Sequence, residues 1–262
     1  MRLRIATWNI NSLRLREEQV CRVLKQKAPD ILCLQEIKSP VELVPTIGFE
    51  SIGYNHFIAR GEKGYNGVAI ISRLPLERNW SHDFCSKGDA RHISAITNCG
   101  ITIENFYVPA GGDVPDRDLN KKFEHKLDFL EEMSDYFSKR KPKKTILVGD
   151  LNVAPGENDV WSHKQLLNVV SHTEIEIKKL VSVKNSGGFV DITRKHIKEG
   201  RLYSWWSYRS PNWEKSDRGR RLDHVWATKD IADSSASSIV FKEARGWPRP
   251  SDHVPVFAEF DL

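Results

Sequence analysis

Polar residues stand close behind several short apolar segments of the chain. Asn9, Glu36 and Asp150 each occupy such a position. Carboxylate and amide oxygens suit Mg²⁺ or Mn²⁺, which can neutralise a phosphate oxygen and stabilise an alkoxide leaving group. These residues therefore indicate metal-assisted hydrolysis of a phosphate ester.

Four further residues supply groups that this chemistry needs. Asn152 follows Asp150 by two positions and Tyr107 ends another apolar segment, and both can donate hydrogen bonds to a charged transition state. Asp150 can accept a proton from an attacking water or orient it. Asp223 can hold the imidazole of His253 and favour its protonated form, which leaves open whether His253 acts as a base or as an electrostatic stabiliser.

The positions of these residues within their segments predict that they converge. The earlier ones end their segments, whereas Asp223 opens the sequence DHVW at 223–226, and Asp252 and His253 precede 254–260. If the later strands run antiparallel to the earlier ones, all of these side chains lie at one edge of the core. We expect a single cleft at that edge.

Each residue also has an ordinary structural interpretation. An Asp-x-Asn sequence is typical of a turn, and a single carboxylate or histidine is often a surface or core residue. The alternatives left open are a turn at Asp150–Asn152, a surface charge at Glu36, packing at Tyr107, a surface or core role for His253, an ion pair of Asp223 with Arg220 or Arg221, and a helix cap at Asn9. Taken together, these structural alternatives are less favoured, because each one requires a polar residue to lie at the same edge by coincidence.

The remaining pattern favours a sheet-rich, layered α/β fold in one domain, residues 1–262. Short apolar segments predict strands at 3–8, 31–34, 68–71, 93–96, 101–108, 145–148, 222–227 and 254–260. Helical spacing predicts helices over about 117–138, with Leu119 on the apolar face, and about 13–27. Ser171 and Glu174 fit a capping box that starts a third helix. The serine-rich residues 234–238 predict a loop.

Composition narrows the class of protein. The chain has 39% hydrophobic residues, a net charge of +5 and no apolar segment of 18 residues, so we expect a globular protein without a membrane span. No secretion signal is visible, and the four cysteines lack metal-type spacing, so a cytoplasmic protein with reduced thiols is expected. Phosphate-loop and serine-nucleophile motifs are missing. Nothing signals an oligomer, so a monomer is the default.

Nine motifs in order carry a family resemblance over nearly the whole chain. They are WNINSLR at 8–14, LQEIK at 34–38, GYNGVAI at 64–70, NFYVP at 105–109, GDLNV at 149–153, GFVD at 188–191, SWWSYR at 204–209, RLDH at 221–224 and SDH at 251–253. With these motifs the chain resembles the exonuclease III family, within the endonuclease/exonuclease/phosphatase superfamily.

The resemblance implies a four-layer α/β/β/α sandwich with two packed mixed sheets. It also implies Mg²⁺-dependent cleavage of double-stranded DNA on the 5′ side of abasic sites, together with 3′-5′ exonuclease or 3′-end-processing activity. By this resemblance, Glu36 is the principal metal ligand, and Asn9 and Asp252 line the metal site. Asp150 aligns or deprotonates the attacking water, with Asn152 supporting it. Asp223 and His253 form a dyad that contacts the scissile phosphate, which Tyr107 also contacts.

Residues 201–226 point to DNA. Four of the eight tryptophans lie there among several arginines and lysines, and such residues contact phosphates and stack on bases. We expect Arg209, Arg220 and Arg221 to contact DNA, and we expect Trp206 and Trp226 to be core residues. By family resemblance, Trp205 and Leu222 form the pocket for a base-less sugar.

Two positions depart from the family pattern. Arg220 stands where some relatives have an aromatic residue, and Ala110 stands where many have Asn or Gln. The alternatives are therefore a 3′-end-processing specialist with weak abasic-site activity, a catalytically silent DNA-binding protein, and another hydrolase of the superfamily, such as a non-specific nuclease, an inositol-phosphate phosphatase or a sphingomyelinase. An interaction module would leave the polar cluster unexplained.

Overall fold

Two six-stranded mixed sheets form the centre of the computed structural model, which describes residues 1–210 and 212–262. In spatial order the first sheet contains β13 (Ser235–Val240), β14 (Val256–Asp261), β1 (Arg2–Asn9), β2 (Ile31–Gln35), β4 (Tyr65–Ser72) and β3 (His56–Glu62). The second contains β5 (Leu76–Trp80), β6 (His92–Thr97), β7 (Thr102–Tyr107), β8 (Thr145–Asp150), β12 (Asp223–Thr228) and β9 (Phe189–Asp191). A small ribbon pairs β10 (Trp205–Trp206) with β11 (Gly219–Arg220).

Helices flank the sheets. They are α1 (Glu17–Lys27), α2 (Ile47–Glu50), α3 (Lys121–Arg140), α4 (His163–Leu166), α5 (Glu174–Ser186), α6 (Ile192–His196), α7 (Trp213–Ser216) and α8 (Lys229–Ala232). Short 3₁₀ turns lie at Val41–Leu43, Phe84–Ser86, Glu157–Asp159 and Lys242–Gly246. In the described part of the chain, we find no helix with the length and apolarity that crossing a membrane requires.

The alternation of side chains along the strands gives three buried layers. Aliphatic residues of both sheets, such as Ile5 and Ile146, meet in the central core. The outer face of the first sheet packs against α1, and the outer face of the second packs against α3 and α5. Trp206 and Trp226 are buried as expected. The structure therefore has the predicted α/β/β/α order of layers.

The strand directions bring the predicted site residues to one edge. β1 is parallel to β2, and β7 is parallel to β8, so the carboxyl ends within each pair coincide. β12 and β14 run antiparallel to β8 and β1 respectively, so the residues that open or precede them reach the same edge. The expected antiparallel placement is confirmed.

A buried amide pair joins the two sheets beneath this edge. Gln35 on β2 donates to the side-chain oxygen of Asn105 on β7 at 2.7 Å. Asn105 in turn donates to the carbonyls of Leu34 at 3.1 Å and Ala69 at 2.9 Å. Buried polar groups need such partners, so this network holds the relative position of the two sheets where the site is built.

The structure corrects the boundaries of the three predicted helices. The helix expected at 117–138 begins at Lys121, with Asn120 capping it by accepting from the backbone N–H of Lys122 at 3.0 Å. Leu119 therefore precedes the helix and is 81% exposed. The helix expected from about 13 begins at Glu17.

The third helix begins two residues later than predicted. Its capping box is formed by Thr173 and Glu176, whereas Ser171 lies outside the helix with a φ of 84°. Both pairs fit the same sequence pattern, and burial of Glu176 decides between them.

The serine-rich residues predicted as a loop form most of β13, an edge strand. Its pairing with β14 stabilises the strand in spite of the low β propensity of serine. Five further strands, β3, β5, β9, β10 and β11, lacked a strong apolar signal, because they are short or only partly buried. Cys33 is a buried thiol.

Arg221, predicted to contact DNA, is instead buried inside the protein and only 1% exposed. Its guanidinium donates to both carboxylate oxygens of Asp159 at 2.8 and 2.9 Å and to Asp191 at 2.8 Å. Arg194 also binds Asp159. The prediction for Arg221 is wrong, because these two distant carboxylates neutralise the cation in the interior.

This cluster predicts acid-sensitive stability. Burial alone would raise the pKa of Asp159, but Arg221 and Arg194 outweigh it and lower that pKa to about 2. The stabilisation is therefore present above the unfolded-state pKa and is lost as the pH falls through 2. Asp159→Asn should lower the free energy of unfolding by about 2 kcal/mol at pH 7, measured by urea denaturation. The difference in free energy of unfolding between the wild type and Asp159→Asn should shrink toward pH 2. The exposed-site control Asp135→Asn should have little effect on this free energy. A difference that does not depend on pH would contradict the ion-pairing of Asp159.

Candidate active site

The site is built from two rows of adjacent strand ends. In the second sheet, Asp150 lies directly opposite Asp223 and beside Tyr107 in the strand register. In the first sheet, Asn9 pairs with Gln35, the residue before Glu36. The register itself therefore places the predicted residues of each sheet side by side.

Asp150 lies at the centre of the hydrogen-bond network and is fully buried. Its Oδ2 accepts from the side-chain amide of Asn9 at 2.8 Å and of Asn152 at 3.1 Å. Its Oδ1 accepts from the backbone N–H of Asn152 at 3.0 Å. The second amide hydrogen of Asn152 goes to the carbonyl of Val108 at 2.9 Å, so Asn152 holds Asp150 in one orientation.

Glu36 joins the first sheet to this network. Its Oε1 accepts from Asn9 at 2.9 Å and from the hydroxyl of Tyr107 at 2.8 Å, and its Oε2 lies 2.7 Å from Nζ of Lys38. Burial would raise the pKa of Glu36, but the Lys38 charge and the Asn9 hydrogen bond lower it below its usual value. Glu36 is therefore ionised at neutral pH.

His253 and Asp223 form a buried dyad. Nδ1 of His253 lies 2.8 Å from Oδ2 of Asp223, and the same carboxylate oxygen accepts from Ser204 at 2.6 Å. Nε2 of His253 lies 3.7 Å from Oδ2 of Asp150. The imidazole is thus held between two carboxylates.

These carboxylates determine the charge of the histidine. Burial would lower the pKa of His253, but Asp223 and Asp150 outweigh it and raise that pKa to about 10. Burial, together with the charges of Asp223 and Glu36, raises the pKa of Asp150 to about 7 against the opposing effect of His253. Burial and the charges of Glu36 and Asp150 raise the pKa of Tyr107 well above its usual value, so its hydroxyl stays protonated.

Sharp turns after the strands direct the side chains inward. Glu36 and Asn152 have φ angles of 52° and 53°, and Asn11 and Lys38 have 47° and 50°. The left-handed region costs a non-glycine residue of order 1 kcal/mol and is enriched at functional sites. Four such residues at one edge indicate that the surrounding contacts enforce this geometry.

The network opens into a cleft of about 890 Å³. The predicted residues that line it are Glu36, Asp150, Asn152, Asp252, His253, Trp205, Arg209, Arg220 and Leu222. Asn9, Tyr107 and Asp223 are buried behind this lining and reach it through their hydrogen bonds. The structure thus brings together the predicted site residues except Arg221.

The far wall of the cleft carries the predicted DNA-binding residues. Trp205 donates from its indole N–H to Asp252 at 3.0 Å. The guanidinium of Arg220 lies 5.3 Å from the centre of the Trp205 ring and donates to Ser171 Oγ at 2.7 Å and to the carbonyl of Val170 at 2.9 Å. Arg220 therefore occupies one side of the pocket as a cation bound to neutral acceptors.

The donor set fits a divalent cation. Oδ1 of Asp223 is buried without a hydrogen-bond partner in the described residues, and burial, together with the charges of Asp223 and Glu36, raises the pKa of Asp150. Asp150, Asp223 and His253 lie close enough to share an ion, but both ring nitrogens of His253 face carboxylates. Glu36 and Asp252, which line the same cleft, offer the oxygen donors that hard cations prefer.

Several contributing residues were missed from the sequence. Lys38 binds both Glu36 and the side-chain oxygen of Asn11, at 2.7 and 2.6 Å. Asn11 also donates to Asp252 at 3.2 Å, and so links the two predicted metal-lining carboxylates. Their positions in the sequence could have indicated them, because Asn11 and Lys38 each follow a predicted site residue by two positions.

Several known proteins are similar to this chain in fold or in sequence. The chain is similar to the solved structure of an AP endonuclease from Archaeoglobus fulgidus, with a TM-score of 0.93 and 35% identity over 99% of this chain and 100% of that one. It is also similar to a 3′ phosphatase from Neisseria bound to a product DNA hairpin, with a TM-score of 0.92 and 29% identity over 99% and 100% of the two chains. Exodeoxyribonuclease III of Haemophilus influenzae is 28% identical over 98% of this chain and 100% of its own.

Together, the fold and these comparisons identify the chain as a phosphodiester hydrolase. It belongs to the Endonuclease/Exonuclease/phosphatase family, whose sequence profile matches residues 6–253.

The dyad geometry predicts the titration of His253. Its pKa in the folded state is raised to about 10, so the stabilisation from its carboxylate partners is present below pH 6.5 and is lost as the pH rises through 10. Asp223→Asn should lower the midpoint by about 1–3 units, measured from the His253 ring signals in NMR spectra. The exposed-site variant Asp233→Asn should leave it unchanged. A wild-type midpoint near 6.5 would refute the dyad.

Proposed function

We propose that this chain is a Mg²⁺-dependent DNA-repair phosphodiesterase that cleaves double-stranded DNA 5′ to abasic sites and also trims or dephosphorylates damaged 3′ ends. The observation that carries the proposal is the convergence of Asp150, His253 and Glu36 on one cleft whose far wall holds Trp205 and Arg220. Mn²⁺ is the alternative ion. The protein acts on DNA as a monomer in the cytoplasm.

In the proposed reaction, water attacks the phosphorus and the bond to the 3′ oxygen breaks. Asp150 receives the proton of the water, since its pKa of about 7 suits transfer near neutral pH. Asn152 and Asn9 hold the carboxylate in place through their amide groups. The 3′ alkoxide leaves and takes a proton from solvent.

His253 acts in this proposal as an electrostatic stabiliser rather than as the base. Its Nδ1–H is directed to Asp223 at 2.8 Å, whereas its Nε2 lies 3.7 Å from Asp150, beyond hydrogen-bond distance, so the Nε2–H is free to interact with a phosphate in the cleft. An imidazolium in a buried site stabilises negative charge that develops on the phosphate. The same geometry makes Asp150 the better proton acceptor of the two.

Glu36 would hold the divalent cation, with Asp252 and Asn9 supporting the site. The bound ion would supply positive charge that stabilises the scissile phosphate and the leaving oxygen. Tyr107 orients Glu36 through its hydroxyl hydrogen bond, and Lys38 compensates part of the carboxylate charge.

Two features of the cleft support a second candidate, a 3′-end-processing specialist. Arg220 places a cation beside Trp205, where a 3′-phosphate is a better partner than a neutral sugar. Ala110 lines the cleft but has no side-chain hydrogen bond to offer. Both features are expected to favour terminal phosphate groups over internal abasic sites.

A substrate panel tests the proposal. The wild-type enzyme should cut a duplex with one internal abasic analogue on its 5′ side, and should process recessed 3′-hydroxyl and 3′-phosphate ends, only when Mg²⁺ is present. Asp150→Asn should lower the cleavage rate by at least about 10²–10³ without changing the circular dichroism spectrum. Exposed Asp135→Asn should cleave at the wild-type rate.

The pattern of products separates the candidates. Activity at 3′ ends without internal incision would favour the specialist, and Arg220→Leu should then raise incision. DNA binding without turnover on any of the three substrates would contradict the proposed function.

A further inference from the structure

A fully buried ion pair lies behind the cleft and takes no direct part in the proposed reaction. Lys126 on α3 and Glu176 on α5 bind each other, and both side chains are 0% exposed. Removing two charges from water is costly, and such a pair often stabilises a fold no better than apolar residues of the same volume. A contribution to the stability of the fold therefore does not by itself explain why a lysine and a glutamate occupy these two buried positions.

The ammonium group of Lys126 directs all of its hydrogens at fixed acceptors. Besides Glu176, its Nζ donates to the backbone carbonyl of Asn152 at 2.7 Å and to that of Ala110 at 3.3 Å. An ammonium has three hydrogens, so each of these contacts uses one. The loops that follow β7 and β8 are thus held by a single side chain.

Glu176 holds a third segment, the wall of the pocket. Its two carboxylate oxygens each accept from the backbone N–H of Ser171 at 2.9 Å, and one accepts from the Thr173 hydroxyl at 2.6 Å. Ser171 Oγ in turn accepts from Arg220. The pair therefore lies between the reacting end of the cleft and the pocket.

The two residues that the pair holds have unfavourable backbone conformations. Asn152 has a φ of 53° and Ser171 has a φ of 84°. Conformations of this kind persist only when surrounding contacts enforce them. Lys126 supplies such a contact at the carbonyl of Asn152, and Glu176 supplies one at the amide of Ser171.

The fit around Lys126 is tight. A β-carbon on Gly111 would lie 2.8 Å from Cδ of Lys126 and 3.0 Å from Val170. The same β-carbon would lie 3.5 Å from Phe123, which forms a small apolar cluster with Leu127 and Val170. The ammonium group consequently has little freedom to move away from the carbonyl that it holds.

We infer that Lys126, together with Glu176, is a positioning residue for catalysis. It fixes the turn at Asn152, and through that turn the orientation of Asp150, while Glu176 fixes the pocket wall at Ser171. Neither residue touches the DNA in this scheme. The inference rests on the proposed function for its kinetic consequences, whereas its structural consequences can be measured without substrate.

Two variants separate positioning from stability. Lys126→Met leaves a buried carboxylate without its partner and should lower both Tm and kcat. The double variant Lys126→Met with Glu176→Met removes both charges and should recover much of the Tm. Its kcat should nevertheless remain about 10–100-fold below the wild-type value, with KM for the duplex nearly unchanged, as for other supporting residues behind a reacting group.

Leu130→Ala is the matched control. Leu130 lies one turn further along the same face of α3 and is fully buried in the core against the second sheet. It should lower Tm through a cavity while keeping kcat near the wild-type value. If kcat of the double variant recovers together with Tm, or if Leu130→Ala loses kcat to the same extent, the positioning role is refuted.

Hydrogen exchange gives a readout without activity. Peptides that contain Asn152 and Ser171 should exchange faster in both Lys126 variants than in the wild type, below the unfolding transition, and should be unchanged in Leu130→Ala. Unchanged exchange in the Lys126 variants would overturn the inference. An inactive wild-type protein with the expected exchange pattern would refute the proposed function and leave the positioning of these loops supported.

Discussion

The crowding of carboxylates at one edge of the sheet sandwich is the constraint on which the site depends. Asp150 and Asp223 are fully buried, and Glu36 and Asp252 lie at the cleft beside them. Burial, together with the charges of Asp223 and Glu36, raises the pKa of Asp150. His253 supplies one positive charge between Asp150 and Asp223. The carboxylate of Glu36, which is paired with Lys38, is where we propose that a divalent ion binds.

The surrounding fold keeps these charges in place. The strand register sets Asp223 opposite Asp150, and the buried amides of Gln35 and Asn105 join the sheets directly below. Left-handed turns then direct the side chains into the cleft. The strain of these turns is maintained by contacts from behind, among them the ammonium of Lys126 on the carbonyl of Asn152.

Much of this arrangement is predictable from the sequence. Apolar segments indicate the strands, and the polar residues at the ends of these segments indicate the edge of the sheets at which the site lies. Features that depend on distant partners are not predictable in this way. The sequence predicts that Arg221 contacts DNA, but in the fold its guanidinium pairs with Asp159 and Asp191 inside the protein. Ser171 and Thr173 fit the same capping pattern, and the buried contact of Glu176 with Lys126 distinguishes them. The feature of the sequence that indicates this pair is the position of Lys126 on the apolar face of the helix α3.

Binding of Mg²⁺ tests the central claim most directly. The thermal stability of the wild-type protein should rise with Mg²⁺ concentration, because the ion binds the folded carboxylate cluster. Glu36→Gln should weaken the apparent affinity by about tenfold or more, as expected when a metal ligand loses its charge, while the exposed-site variant Glu42→Gln should bind as the wild type does. Equal Mg²⁺ titrations for the wild-type protein and Glu36→Gln would contradict the account.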